Sequence, residues 1–185
     1  MHTTPHPVPL AAHALLAQCA DFVQRMTDDA YTADSNVLPG GTAGKHVRHT
    51  IDHFAAIVSA HDEGMPIDYD HRLRNVPMES LRAEALRVIE HVQARIAAQS
   101  PASMKATVRV RVMLAADGTE TELYSTLARE LAFATHHAIH HLAMMKAIAA
   151  EFGIHCPESF GKAPSTLHHE SRLDTSMPHP LMPSS

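Results

Sequence analysis

The stretch STLARELAFATHHAIHHLAMMKAIAAEFG, residues 125–153, contains neither proline nor glycine before its last position. Such a run predicts one long helix, with Ser125 as its N-cap and Gly153 as its C-terminal stop. Leu127, Ala134, His141 and Ile148 share one heptad register, and Glu130, His137 and Met144 share another. Both registers belong to the inward, apolar stripe. His136 and His140 lie further round, towards Arg129 and solvent. A stripe of this length has to be buried by other long helices.

The rest of the chain supplies them. Residues 9–30 place Leu10, Ala14, Ala17, Phe22 and Met26 near helical spacing, and YTADSNVLPGG then marks a loop. A second helix is predicted from Thr42, its N-cap, to Gly64, its stop. MPIDYDHRLRN reads as a polar connector. The third helix covers 77–99, with Pro77 near its start and Leu81, Ala85, Val88, Val92 and Ile96 as its inward stripe. Then the period changes. Val108, Val110 and Val112 alternate with arginines before a turn at Asp117-Gly118, a hairpin signal. The predicted fold class is all-α: a four-helix bundle with a small β-hairpin between helices three and four. One domain spans 1–170, and residues 171–185 form a flexible C-terminal tail.

Composition narrows the function. A chain of 185 residues with 45% hydrophobic and 19% charged content is ordinary for one globular domain. A net charge of −5 and the absence of Trp argue against nucleic-acid or anionic-membrane partners. Two cysteines, Cys19 and Cys156, cannot make a disulfide framework, and no basic n-region opens the chain, so a reduced, cytoplasmic setting is expected. No window approaches a membrane span.

The anomaly is seventeen histidines. His137 and His141, at i and i+4, stack on one face of helix four. His46, His49 and His53, at i, i+3 and i+7, fall within about 60° on helix two. A buried neutral imidazole needs partners for both nitrogens, and an unmet one costs about 1–3 kcal/mol. A divalent ion meets that need by taking one nitrogen from each ring. The competing explanation is a set of hydrogen-bonded core histidines, and the helix-two ligand stays open among His46, His49 and His53.

GKHVRHTIDHF on helix two, YDHRLR after it and HHAIHH on helix four resemble the DinB/YfiT-like family, the DNA-damage-inducible four-helix bundles. STLARELAFATHHAIHHLAMM and FGKAPSTL resemble an uncharacterised bacterial branch of that family. The likeness covers most of residues 40–170. It implies three histidines on one divalent ion, one from helix two and an H-x-x-x-H pair from helix four: His49, followed three residues on by the acidic Asp52, with His137 and His141. Zinc or nickel is the expected metal, with iron and manganese also suited to imidazole. The family resemblance further implies a thiol S-transferase working with a small thiol, or a metal-dependent hydrolase, acting on a small-molecule substrate, and a homodimer.

Three imidazoles leave an open position, the mark of a catalytic rather than a structural site. Glu130 is a candidate base or acceptor of a ligand N–H, the alternative being a solvated carboxylate at the helix start. Asp52 either supports a helix-two histidine or makes a surface salt bridge. Tyr69, Asp70, Arg72 and Arg74 could hold an anionic substrate, and Ser165 and Thr166 could form a lid or a simple turn. Other chemistries lack their residues. Ala138 stands where a zincin needs Glu, and neither Glu-x-x-His pairs nor G-x-S-x-G occur. A non-catalytic protein that binds or senses metal is the rival to an enzyme.

Overall fold

The computed structural model describes residues 6–176. Its elements in chain order are α1 (Pro7–Arg25), α2 (Asp28–Thr32), α3 (Ala43–Glu63), β1 (Ile67–Asp68), α4 (Arg82–Ala97), β2 (Thr107–Met113), β3 (Glu120–Thr126), α5 (Leu127–Glu151) and α6 (Pro164–Ser176). The fold is mostly helical with a small three-stranded sheet. Helix α1 packs on α4 and α5, and α3 packs on the same two, so the four long helices share one core.

Local chemistry explains the helix ends. The Thr42 hydroxyl accepts from Lys45 N, and Gly64 closes α3 at φ 68°. The helix expected over 9–30 is broken, because Met26 is extended and Thr27 caps a new turn through Ala30 N, ahead of Asp28 and Asp29. Those two carboxylates favour a helix start. Ser125 is not the cap of α5; Thr126 is, accepting from Arg129 N, because β3 continues through Thr126. In α4 the expected stripe is offset. Leu81 precedes the helix and is exposed, while Ala85, Ile89, Val92 and Ile96 are buried. The i, i+4, i+7, i+11 spacing of these four keeps them on one face.

The sheet has order β1-β2-β3. β2 and β3 pair antiparallel, with Val110 opposite Leu123 and Val112 opposite Thr121. β1, inside the stretch read as a polar connector, pairs parallel with β2, Ile67 against Val110. Its two residues are too short to show a period. Past α5, Gly161 lies so close to that helix that a Cβ would stand 2.6 Å from Ala143 N. Only glycine fits there, and it seats the FGKAPSTL segment on α5. Residues 171–176 of the expected tail continue α6, since no proline intervenes between Pro164 and Pro178; residues 177–185 lie outside the described residues.

Candidate metal centre

Helix α3 presents His46, His49 and His53 towards α5, which answers with His137 and His141. The contacts are close. His49 Nε2 lies 2.9 Å from His137 Nε2, and His137 Nε2 lies 3.1 Å from His141 Nε2. His53 completes a triad with His49 and His137 whose donor atoms all lie within 4.8 Å of one another. Two possible ligand sets therefore share His49 and His137, one closed by His53 and the other by His141. His53 and His141 are buried, whereas His136 and His140 are exposed, as their registers require.

The outward nitrogens reveal how the rings are held. His53 Nδ1 donates to the His49 carbonyl at 2.8 Å, which leaves its Nε2 a bare lone pair. His141 Nδ1 faces His46 Nδ1 at 3.2 Å, so His46 can accept its proton and free His141 Nε2 in turn. His49 differs. The Arg72 guanidinium donates to its Nδ1, and a guanidinium cannot accept. In this arrangement the neutral His49 ring carries its proton on Nε2, the nitrogen that would have to ligate.

Burial away from water holds these rings neutral. Desolvation first, then neighbouring histidines, lowers His49 to about 2 and His141 to about 3. Desolvation also takes His53 to about 4, although its hydrogen bond to the His49 carbonyl opposes the shift. His46 and His137 are lowered by the same leading cause. Five neutral imidazoles facing one another form a donor set for a cation.

Residues 11–145 match the sequence model of the DinB superfamily. This chain belongs to the DinB superfamily. A DinB-like protein from Bacillus subtilis, YjoA, shares the fold at a TM-score of 0.60, with 14% identity, over 85% of this chain and 99% of that one. An FK506-binding protein 5 from Rhizopus delemar is 34% identical over 161 residues, which is 85% of this chain but 37% of the fungal protein. The chain thus spans well under half of that relative.

Around the histidine cluster of this DinB-superfamily chain, the other candidates take up definite places. Glu130 is fully buried, not solvated as the helix-start alternative had it. It accepts from Tyr69 Oη at 2.7 Å, Ser125 Oγ at 2.5 Å and Arg129 Nη1 at 2.8 Å, rather than from a histidine. Tyr69 carries its influence inward, stacking on His53 at 5.1 Å between centroids, and Phe133 stacks on His137 at 5.8 Å. Asp52 lies 3.5 Å from Arg48 and 3.9 Å from Arg72, so it reaches His49 through a guanidinium. Of the YDHRLR group, Tyr69 and Arg72 arrive at the histidines. Asp70 instead accepts from Met113 N, and Arg74 is exposed. Ser165 and Thr166 are exposed in the first turn of α6. Sequence reasoning left out His46 as the partner of His141 and Phe133 as a wall of the cluster. The i, i+4 spacing of Phe133 and His137 was the available signal.

Among the described residues, no helix is long and apolar enough to cross a membrane.

Proposed function

We propose that this DinB-superfamily chain is a divalent-metal-dependent enzyme of the thiol S-transferase or hydrolase type, with His49, His137 and His141 as its ligands. The spacing of the three Nε2 atoms, 2.9 and 3.1 Å along the chain of contacts, carries the reading. Nitrogens at 2.0–2.1 Å from one zinc ion stand about 3.3 Å apart in a tetrahedron and about 2.9 Å apart in an octahedron. The side chains present fit such an ion once Arg72 releases His49 Nδ1 and the ring carries its proton there instead of on Nε2. His141 has its Nδ1 partner in His46, and His53 adds a fourth inward lone pair. Zinc or nickel is the favoured metal, with iron and manganese as alternatives. When bound, the ion would supply a Lewis acid able to hold a thiolate or acidify a water.

The protein groups do the rest. Asp52, itself paired with Arg48, holds Arg72 at the cluster edge, where its charge draws a thiolate or another anion towards the histidines. Glu130 fixes Tyr69, and Tyr69 fixes the face of His53; Glu130 and Asp52 thus position the site. The Tyr69 and Phe133 rings exclude water from one side of it. The substrate is a small molecule, with a low-molecular-weight thiol as the second reactant of the transferase version. Exposed His136 and His140 beside the cluster favour one rival, a non-catalytic protein that binds or senses metal.

Metal content of untagged protein tests the reading, with wild type beside His137→Ala, His141→Ala and His53→Ala. One equivalent in wild type and in His53→Ala, with loss in the other two, is the expected result. Loss in His53→Ala with retention in His141→Ala assigns the alternative ligand set. No metal in wild type after refilling with zinc, nickel and manganese removes the enzyme reading. Thiol-transfer and hydrolase assays on the loaded protein then separate an enzyme from a buffer, which would take several weak equivalents instead of one.

A further inference from the structure

A second feature adjoins the histidines on the sheet side. A cleft of about 430 Å³ is walled by Val110, Val112 and Leu123 of the sheet and by Arg129 and Phe133 of α5, with Tyr69 and Glu130 at its floor. The register places Val110, Val112 and Leu123 on one face of the β2–β3 pair, the face turned to the helices. Tyr69 and Phe133 form the partition, since the same rings stack on His53 and His137. A molecule in the cleft is one aromatic ring away from the proposed ligands.

The charges in the cleft are ordered. Glu130, wholly buried, sits at the floor with its oxygens engaged by Tyr69, Ser125 and Arg129. Its acceptors are thereby already taken at that depth, so the floor offers a second anion no free donor. Arg129 is different. Its side chain is 66% exposed, Nη1 is tied to Glu130, and its guanidinium carbon lies 5.5 Å above the Phe133 ring. Those two contacts fix a planar cation at the rim and leave its other N–H groups to the solvent side. Fixing the fork beforehand reduces the entropy lost when a planar anion pairs with it. Arg109 and Arg111 do not compete for the ligand, since they lie on the opposite face of the sheet, paired with Glu122.

We propose that this cleft is a substrate subsite for a small carboxylic acid with an apolar or aromatic body, its carboxylate on Arg129 and its body between Phe133 and the valines. The volume suits such a molecule, at the lower end of the range for small-ligand sites. The assignment rests on the metal-enzyme reading above, because it makes this molecule the substrate presented to the histidines. Its recognition groups are separate from the ligands, so the two can fail separately.

The probe is 3-phenylpropanoate, titrated into wild-type protein by calorimetry and by NMR, beside its neutral amide. The acid should bind at least about tenfold more tightly than the amide, the scale of one charge-assisted pair. Arg129→Met should abolish that preference, Arg129→Lys should restore part of it, and Val112→Trp should block both compounds by filling the cleft. Circular dichroism on each variant confirms that it is folded. Equal binding of acid and amide overturns the inference, as does binding unaffected by Val112→Trp, or no binding at millimolar concentration. Metal content measured on the same samples keeps the two readings apart. One equivalent of metal with no acid bound removes the subsite alone, whereas acid bound by a protein that takes up no metal removes the metal-enzyme reading.

Discussion

Helices α1 and α4 bury only apolar side chains and a cysteine, whereas α3 and α5 bury Thr50, His53, Glu130, Thr135 and His141 among theirs. All four helices enclose the same core, so one hydrophobic interior is built by two rules. On the α1–α4 side, stability comes from apolar area removed from water, and every buried group is satisfied by contact alone. On the α3–α5 side, buried imidazoles forgo hydration and find one another at 2.9–3.2 Å. Such an arrangement lowers stability relative to well-packed leucines. Placing that cost on the two facing helices marks the site.

The sharpest way to separate the halves is to cut one group from each. His137→Ala should weaken divalent-metal binding by more than about 100-fold, because it removes the nitrogen that both possible ligand sets share. Metal-free protein should lose little stability, since a costly buried polar group goes with it. Ile89→Ala on α4 should do the reverse, destabilising by about 2–5 kcal/mol in urea unfolding while leaving metal stoichiometry unchanged. If both variants moved both readouts together, the division between packing half and chemical half would be wrong.

Arg72 sharpens the comparison from the other direction. Its guanidinium donates to His49 Nδ1, yet ligation through His49 Nε2 requires a proton on Nδ1. Arg72→Ala should therefore raise metal affinity by about tenfold, the lower range for groups orienting a ligand. A competition titration against a chelator of known affinity reads it. Weaker binding in that variant would mean that Arg72 helps to hold the loaded site.

Acid acts on the α3–α5 half alone. His49, His141 and His53 titrate at about 2, 3 and 4 in the folded protein, against 6.5 for a free histidine. Well above pH 6.5, from about pH 8, both states are neutral and these rings contribute almost no slope. As pH falls below 6.5, the unfolded chain takes up protons that the folded cluster refuses, so stability drops steadily towards the folded values. The urea midpoint of metal-free protein should fall only slightly from pH 8 to 7, apart from other groups, and much more steeply from 6.5 to 5. Replacing His49 and His141 together by apolar residues should flatten that fall.

The two halves also differ in how plainly the sequence announced them. On α5, the registers of Leu127, Ala134, His141 and Ile148 come from spacing alone, and all four are buried. Likewise Thr42 and Gly64 bound α3 as their cap chemistry requires. The approach of α3 to α5 was legible because histidines repeat on both inward faces. Of the groups outside those helices, Tyr69 and Arg72 were legible only as possible anion holders, not as the partners of Glu130 and His49. Tyr69 comes from a loop beside a two-residue strand, and only a tertiary fold brings its hydroxyl to Glu130, 61 positions away. Arg72 reaches His49 by the same loop, so a charged connector indistinguishable from a solvated one turns out to contact the centre.

The smallest expected effect tests the α4 stripe, where sequence and structure part. Leu81 has helical spacing from Ala85, yet it stands at the N-cap in an extended conformation and is 55% exposed. Ile89, one residue off the expected stripe, is buried in its place. The extended backbone at Leu81 turns its side chain away from the face that the helical period assigns to it. Leu81→Ser should then change stability by no more than about 0.5 kcal/mol, with a gain open to it because serine is a preferred N-cap. A loss near the 2–5 kcal/mol expected for Ile89→Ala would put Leu81 back in the core and move the start of α4 one turn earlier.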